Sequence, residues 1–417
     1  MRGWRDIYVE DIAFPGKNSM STGPFGSSIS AKYFVIGGVP VIRGGNLSVE
    51  IGKRLNDNGL VFVSNKKAEE FTRSIVGFGD IVFTCWGTIN QVGLIDHRAK
   101  FEKYVISNKQ MKLTPDPKKA DFLFLYYLFS GPEKQQEIIG NSIGAAVPGF
   151  NLGQLKKMTL HLPPLEEQKS IASVLSSLDD KIDLLHRQNK TLEAMAETLF
   201  RQWFVEEADD RWEIKALDEI AVVQNGYAFS SKDYVNYESN ELEVFKMGHI
   251  QKGGGLRADP KKDFVPREVR LRNWILKKND IVMAMTDMKD NVVILGVPAI
   301  IDQSDKYVLN QRVARIYLRS NEFLINNYLL YIQLKDPEFI ANLQSQANSG
   351  VQVNLSTTAI KECKILIPPS EVQEKKGVMI SQLYNKKEIN SCQIKTLESL
   401  RDNLLPKLMS GEVRVSA

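Results

Sequence analysis

Leu162-Pro163-Pro164-Leu165-Glu166-Glu167-Gln168 opens a long stretch of helical pattern, and Ile367-Pro368-Pro369-Ser370-Glu371-Val372-Gln373 opens another. The two copies lie 205 positions apart. A repeat of that length is not a solenoid, whose units run to about 20–50 residues. It reads as a duplicated unit, a domain followed by a long helix. Two such units imply a twofold-like arrangement, suited to a ligand that is itself twofold symmetric, and duplex DNA is the leading candidate.

The repetition extends beyond the proline pairs. Trp4–Ala13 matches Trp212–Ala221 without a gap, Gly79-Asp80-Ile81-Val82 matches Asn279-Asp280-Ile281-Val282, and Tyr104-Val105 matches Tyr307-Val308. Asn141-Ser142 followed by Asn151-Leu152 matches Asn348-Ser349 followed by Asn354-Leu355. Landmarks matched in the same order describe two related halves separated by small insertions and deletions.

Composition bounds the class. A chain of 417 residues, 43% hydrophobic and 25% charged, falls in the ordinary soluble globular range and is long enough for two domains with proper cores. Cys85, Cys363 and Cys392 are far apart, with no Cys-x-x-Cys pair. That argues against a disulfide framework and a structural zinc site, and fits a reducing compartment. The opening MRGWRDIYVED has no apolar core of signal-peptide length. The longest apolar run, Phe122–Phe129, is too short to span a bilayer. The expectation is a cytoplasmic protein with no membrane partner.

The net charge of +4 says little by itself. Residues 1–160 hold 20 basic and 14 acidic side chains; residues 205–367 hold 21 and 23. Inside the second half, Lys252, Arg257, Lys261, Lys262, Arg267, Arg270, Arg272, Lys277 and Lys278 stand against three acids, with Phe264 and Trp274 interleaved and Gly253-Gly254-Gly255 leading in. Such a segment suits a phosphate backbone; the plainer reading is a solvated loop.

Residues 1–160 mix β-like runs with glycine turns: 40–43, 60–63, 80–84 and 91–95. Phe122–Gln136 reads as a helix, with Phe122, Leu125, Tyr126 and Phe129 on one face. The second half repeats this, with strands expected at 280–283, 292–295 and 313–317 and a helix over Phe323–Leu334. Each half is an α+β domain of normal size.

The helical stretches carry heptad seams. Ile171, Val174, Leu178, Ile182, Leu185, Asn189, Leu192, Ala196, Leu199 and Trp203 form the first. Ile380, Leu383, Lys387, Asn390, Ile394, Leu397, Arg401, Leu404 and Leu408 form the second. Each proline pair ends a strand and admits a helix. Ser370 and Gln373 suggest a capping box, and Gly411 a helix stop. A helix of about 38 residues is roughly 57 Å long at about 1.5 Å per residue. The expected architecture is α+β and pseudo-twofold symmetric: a domain over 1–160, a central helix over 161–204, a second domain over 205–367 and a C-terminal helix over 368–417, the helices antiparallel. Asn189 and Asn390 on the seams either fix register or sit at wet edges.

The pattern resembles the specificity subunit of Type I restriction–modification systems. The residues that carry the resemblance are Gly23-Pro24-Phe25-Gly26-Ser27, the two Asp-Ile-Val strands, the two Pro-Pro-x-x-x-Gln helix starts, Leu199-Phe200-Arg201-Gln202-Trp203-Phe204 and the closing Leu404–Gly411. The resemblance implies two target-recognition domains, each reading half of a split double-stranded DNA site, with the helices as spacer and docking surface. Two copies of an adenine-N6 methyltransferase subunit would dock there, and an ATP-hydrolysing restriction subunit would join. S-adenosylmethionine and ATP would sit on those partners, and this chain would hold no cofactor. Pro24 and Gly26 have no equivalents in Asn225-Gly226-Tyr227-Ala228-Phe229-Ser230, and Arg43-Gly44-Gly45-Asn46 matches Lys246-Met247-Gly248-His249 only loosely.

Nothing in the chain points to catalysis. There is no Asp/Asn-Pro-Pro-aromatic motif and no phosphate loop. The four histidines lack metal-ligand spacing. Pro115-Asp116-Pro117-Lys118-Lys119 only faintly suggests a nuclease motif, and a surface turn is the plainer reading. The expected role is therefore non-catalytic: no catalytic residue and no metal. Phosphate contacts position and base contacts specify. The expected DNA-contact residues are Arg43, Asn46, Lys53, Arg54, Lys66 and Lys67, with Trp86, Thr88, Asn90 and Gln91 as loop readers. In the second half they are Lys252, Arg257, Lys261, Lys262, Arg267, Arg270 and Arg272, with Asn310, Gln311 and Arg312. Glu193, Arg201, Lys395 and Lys407 on the helices would meet the methyltransferase. The rival readings are a coiled-coil adaptor that binds proteins and no nucleic acid, and a single-chain nuclease.

Overall fold

The structure, a computed structural model, describes residues 3–144, 148–288, 292–320, 322–324, 326–349 and 352–415. The chain forms two compact units, Met1–Leu185 with Gln393–Ala417, and His186–Cys392. The division falls inside both long helices, so each unit takes part of each.

In unit 1, Arg5–Tyr8 pairs antiparallel with Thr159–Leu162, the strand that leads into Pro163-Pro164. A four-stranded sheet runs in the order Met20–Thr22, Gln110–Leu113, Ile81–Thr84, Val92–Leu94. A five-stranded sheet contains Val39–Ile42 beside Lys103–Ile106, and that pair is parallel. Unit 2 repeats the plan. Glu213–Ala216 pairs with Lys364–Ile367 ahead of Pro368-Pro369. A four-stranded sheet orders Ala221–Asn225, Val313–Leu318, Ile281–Ala284 and Pro298–Ile300. Leu242–Phe245 lies parallel to Tyr307–Leu309. Unit 2 adds a small sheet of Thr286–Met288, Gln352–Asn354 and Asn348–Ser349.

The repeated Asp-Ile-Val motif is structural. Gly79 and Asn279 both take left-handed backbone, at φ 86° and 68°, which glycine adopts freely and asparagine tolerates. The following aspartate is buried and accepts a backbone N–H three residues back, from Gly77 at 2.8 Å or Lys277 at 2.6 Å. A cation on the neighbouring strand faces it, Lys112 at 4.0 Å or Arg315 at 2.8 Å. Burial pushes both carboxyls above the usual aspartate value, against the pull of these partners.

The glycines of the turn at 22–28 and of its counterpart are equally constrained. A Cβ on Gly23 would lie 1.8 Å from the Ser107 carbonyl oxygen, and one on Gly226 2.1 Å from that of Asn310. The two turns thus share one backbone approach although their sequences diverge around it.

Three of the expected strands and domain helices differ for identifiable reasons. Val292–Leu295 is no strand: Asp287 Oδ2 accepts the N–H groups of Val293 and Ile294 at 2.6 Å, curling the chain around a carboxylate. Pro298–Ile300 takes the sheet position instead. The Phe122–Gln136 helix is two helices, Phe122–Ser130 and Pro132–Gly140, because Pro132 starts the second and Gly131 is extended. The Phe323–Leu334 helix starts only at Asn327, capped by the Asn326 side chain.

The first long helix spans Leu165–Phe200 and continues as a π turn over Arg201–Glu206. The second begins as Ser370–Val372, passes through a π turn at Gln373–Gly377 and runs as Val378–Met409. Gly411, at φ 72°, follows its end. The Ser370–Gln373 capping box does not form. Gln373 is buried, and its Nε2 donates to the carbonyls of Pro368 and Phe323, both at 2.7 Å. Gln168 does the same at the first helix, donating to Pro163 O at 2.9 Å and accepting Asp121 N–H at 3.0 Å.

Within each unit the helix segments run antiparallel, since residue numbers fall on one as they rise on the other. In unit 1, Ile182 and Leu185 cluster with Ile394 and Leu397, and Asp179 meets Arg401. In unit 2, Asn390 Nδ2 donates to Asn189 Oδ1 at 3.0 Å, and Lys387 pairs with Glu193 at 2.7 Å. The inferred seams are shifted in places. Leu175 and Asp179 are buried where Leu178 was expected, and Tyr384 where Leu383 was.

Two outcomes follow. Gly226→Ala forces backbone apart and costs about 2 kcal/mol or more, whereas Gly248→Ala, with open space around it, leaves the thermal midpoint unchanged. Asn390→Leu alone takes the donor from Asn189 Oδ1, whose Nδ2 keeps the Ser391 hydroxyl, and destabilises by about 1–3 kcal/mol. Asn189→Leu with Asn390→Leu recovers or exceeds wild-type stability; thermal unfolding of the three variants measures this.

Candidate nucleic-acid interface

The parallel strand pair fixes where side chains gather. In unit 1, Val39–Ile42 ends in the turn Gly44–Asn46 and Lys103–Ile106 ends in the turn at 107–110. Backbone bonds draw three more segments to the same place. Gly23 N–H donates to Gln110 O at 2.9 Å, Cys85 N–H to Lys109 O at 2.8 Å, and Phe150 N–H to Cys85 O at 3.0 Å. Gln91 Nε2 donates to Leu47 O at 3.1 Å, tying the loop at 84–91 to the first turn. The five segments 22–28, 43–46, 84–91, 107–110 and 148–151 contain no Asp or Glu. They present Arg43 and Lys109 with Phe25, Trp86, Thr88 and Asn108 exposed.

Unit 2 builds the same cluster. Gln311 N–H donates to Tyr227 O at 2.9 Å, Met285 N–H to Arg312 O at 3.0 Å, and Leu355 N–H to Met285 O at 2.8 Å. The turn Met247–His249 matches Gly44–Asn46: the His249 ring accepts Lys246 N–H at 3.2 Å as the Asn46 side chain accepts Arg43 N–H at 3.0 Å. Segments 225–230, 246–249, 285–288 and 310–313 hold one carboxylate, Asp287, which is buried and held by backbone N–H groups. The backbone N–H groups of Ile294, Met288, Val293 and Leu295 outweigh burial and lower its pKa. Gln311 and Arg312 are exposed, and Arg257 N–H donates to His249 O at 2.8 Å, bringing the basic stretch to the edge of the turn.

Most of the expected contact residues lie at the surface. Arg43, Lys53, Lys66, Trp86 and Thr88 are exposed, and Lys67, Asn90 and Gln91 are half-buried. Lys53 pairs with Glu50 and Lys67 with Glu70. Lys252, Arg257, Lys261, Lys262, Arg267, Arg270 and Arg272 are exposed. Arg270 already binds Glu268, Asp233 and the Tyr227 hydroxyl, and Arg267 donates to Asp305 O. Lys252, Arg257, Lys261 and Arg272 form no ion pair among the described residues.

Three residues proposed as contacts are buried instead. Arg54 is 3% exposed, bonded to Asp96 and Tyr127. Burial opposes its charge, but Tyr127 and Asp96 raise the pKa, so it is a buried brace rather than a phosphate contact. Asn46 donates to Asn56 O and Asn58 O, pinning its turn to a later stretch of the chain. Asn310 accepts Arg312 N–H at 3.2 Å. Phe25, Asn108 and Lys109 are exposed on the same cluster and were not among the expected contacts. Lys109 was recoverable: it follows Tyr104-Val105 as Arg312 follows Tyr307-Val308, the matched pair already in hand.

On the helices Arg201, Lys395 and Lys407 are exposed, whereas Glu193 bridges Lys335 and Lys387. Burial would raise the Glu193 pKa; Lys387 and Lys335 together outweigh it and hold it low. The 115–119 stretch is a turn: Asp116 is buried and accepts Lys118 N–H at 3.0 Å. Among the described residues no group of three or more His, Cys, Asp or Glu is placed to hold a metal, and no helix is long and apolar enough to cross a membrane.

Comparison with known proteins identifies the family. The family model described as Type I restriction modification DNA specificity domain matches residues 33–194 and again 209–399. The MjaIX specificity subunit of Methanocaldococcus jannaschii, a Type I restriction enzyme component, is 26% identical over 319 residues, covering 70% of this chain and 69% of that protein. The HindI specificity subunit of Haemophilus influenzae is 23% identical over 378 residues, covering 75% and 82%. The crystal structure of a Type I restriction–modification S subunit from M. genitalium superposes with a TM-score of 0.57 at 17% identity, covering 97% of this chain and 96% of that one. With the family matched twice over most of its length, the chain belongs to the Type I restriction–modification DNA specificity family, as a recognition subunit rather than an enzyme.

Proposed function

We propose that each unit reads one half of a bipartite double-stranded DNA site through its loop cluster, and that the long helices carry two methyltransferase subunits. The observation that supports this best is the loop clusters themselves. The segments named above gather exposed cations, amides and hydroxyls with no exposed carboxylate among their described residues, in a chain that is 25% charged. A polyanion is the ligand that such a surface favours. The duplicated helix segments offer the same docking element twice, which supports two methyltransferase copies. Their exposed apolar side chains, Leu184 and Leu400 in unit 1 and Met195, Met379 and Ile389 in unit 2, are the kind left for a partner. Arg201, Lys395 and Lys407 would flank that contact. Restriction subunits complete the assembly, with S-adenosylmethionine and ATP held by the partners and the complex working in the cytoplasm. The adaptor reading has no comparable support: it leaves the acid-free loops unexplained.

Co-expressing the chain with its methyltransferase and mapping modified adenines yields a split motif; modification without a motif would sink the reading. Arg312→Ala lowers affinity for the mapped site and reduces the slope of log K against log salt by about 1. Arg54→Met, by contrast, destabilises unit 1 and leaves that slope unchanged, as salt titrations of both variants would reveal.

A further inference from the structure

Two rings stand out on the unit 1 loop cluster. Phe25 is 82% exposed and Trp86 49%. They flank the same basic turn: Asn108 Nδ2 donates to Gly26 O at 3.2 Å on one side, and Cys85 N–H to Lys109 O on the other. The backbone beneath each ring is held. The Phe25 carbonyl accepts the Ser28 hydroxyl at 2.8 Å and the Ser28 N–H at 3.3 Å, and Gly23 presses on the Ser107 backbone. Trp86 lies against Gly149 so closely that a Cβ there would meet its ring at 2.6 Å, and the two residues form a β-bridge. The indole is therefore a platform with one side on bare backbone.

Unit 2 arranges the equivalent place differently. Tyr227 is half-buried, with its ring 5.1 Å from that of Trp274 and its hydroxyl bonded to Arg270. Position 286 carries a threonine whose hydroxyl is bonded to Asn354. Among the described residues of the two loop clusters, the exposed rings are those of unit 1.

We infer that Phe25 and Trp86 make unit 1 a reader of thymine, taking the 5-methyl group in the major groove. This rests on the DNA reading above. A phenyl ring has no hydrogen-bonding atom, and the apolar group that an intact duplex offers in its major groove is the thymine methyl. The loop that carries Phe25 is tied to the turn that holds Lys109, and none of the five loops contains a carboxylate, so the partner is the polyanion rather than an acidic or apolar protein face. Each methyl buried against a ring is worth about fourfold in affinity.

The test uses the full chain in complex with its methyltransferase and duplexes carrying the mapped site, with thymine replaced by deoxyuridine in one half-site at a time. In one half-site the substitution weakens wild-type binding about fourfold or more, and Phe25→Ala shrinks that loss while leaving the other half-site unaffected. Phe25→Ala removes an exposed ring, so folding is not at issue; Trp86→Phe supplies a second variant that keeps the contact with Gly149. Indifference of the wild type to uracil, an equal uracil penalty in Phe25→Ala, or a variant that loses its methyltransferase on purification would each overturn the inference. A wild-type complex with no sequence preference at all would instead take down the DNA-specificity reading, which separates the two failures.

Discussion

A helix can carry a direction out of a domain only if its first turn is fixed to something rigid. Here a buried glutamine side chain fixes it. Gln168 and Gln373 each donate back to the carbonyl of the first proline of the pair, and each also engages the body of its own unit, at Asp121 or Phe323. The strand ahead of each proline pair is held by the first strand of its unit. Strand, prolines, glutamine and helix therefore form one clamp, made twice. The proline pair removes two donors that would otherwise demand partners at the junction, and the glutamine supplies the bonds that replace them. This is why a short motif repeats faithfully while the surrounding surface does not.

The helices themselves are not dry zippers. In unit 1, Asp179 binds Arg401 and the Tyr127 hydroxyl, and Arg401 also reaches the Ile51 carbonyl. In unit 2, Glu193 holds Lys387 and Lys335, and Asn189 meets Asn390. Such polar layers are weak contributors to stability, because desolvation offsets most of the attraction. Their use lies in register: an apolar seam tolerates a slip of one turn, whereas a slip here would strand a buried carboxylate without its cation. Each layer also touches the body of its unit, through Tyr127 and Ile51 or through Lys335, so it seats the helices against the domain as well as against each other.

Much of the frame was legible in the sequence, and the failures have a common physical cause. Strand cores such as Ile81–Thr84, the Asp-Ile-Val turns and the two long helices rest on local patterns of apolar residues, glycine and proline, which a linear reading captures. The seam slipped where burial is polar: Asp179 and Tyr384 are not what a heptad search seeks, so Leu178 and Leu383 were chosen in their place. Arg54 failed for the same reason. Nothing in Lys53-Arg54 tells which cation faces Asp96 and which faces water. The glutamine clamp was misread as a capping box because its acceptors are Pro368, five residues back, and Phe323, fifty back. The loose match of Arg43–Asn46 with Lys246–His249 did not reveal that Asn46 and His249 share a task, because two unlike side chains perform it, accepting a backbone N–H at the turn.

That last substitution shows how the two readers diverge without losing the fold. The turn requires an acceptor at one position and backbone room at another, which Gly23 and Gly226 provide. Everything outward of those points is free to change. Unit 1 sets a tryptophan on Gly149; unit 2 puts Thr286 in the strand and curls the chain around Asp287. Unit 1 leaves Phe25 bare; unit 2 folds Tyr227 under Arg270 and Trp274. The strained or crowded backbone lies beneath the loops and the side chains that face a ligand lie above it, so a change in what is recognised does not touch what is folded. The proposed reading of two unlike half-sites with one duplicated architecture needs that separation, and it is the glycines and buried acceptors, rather than the exposed cations, that make it work.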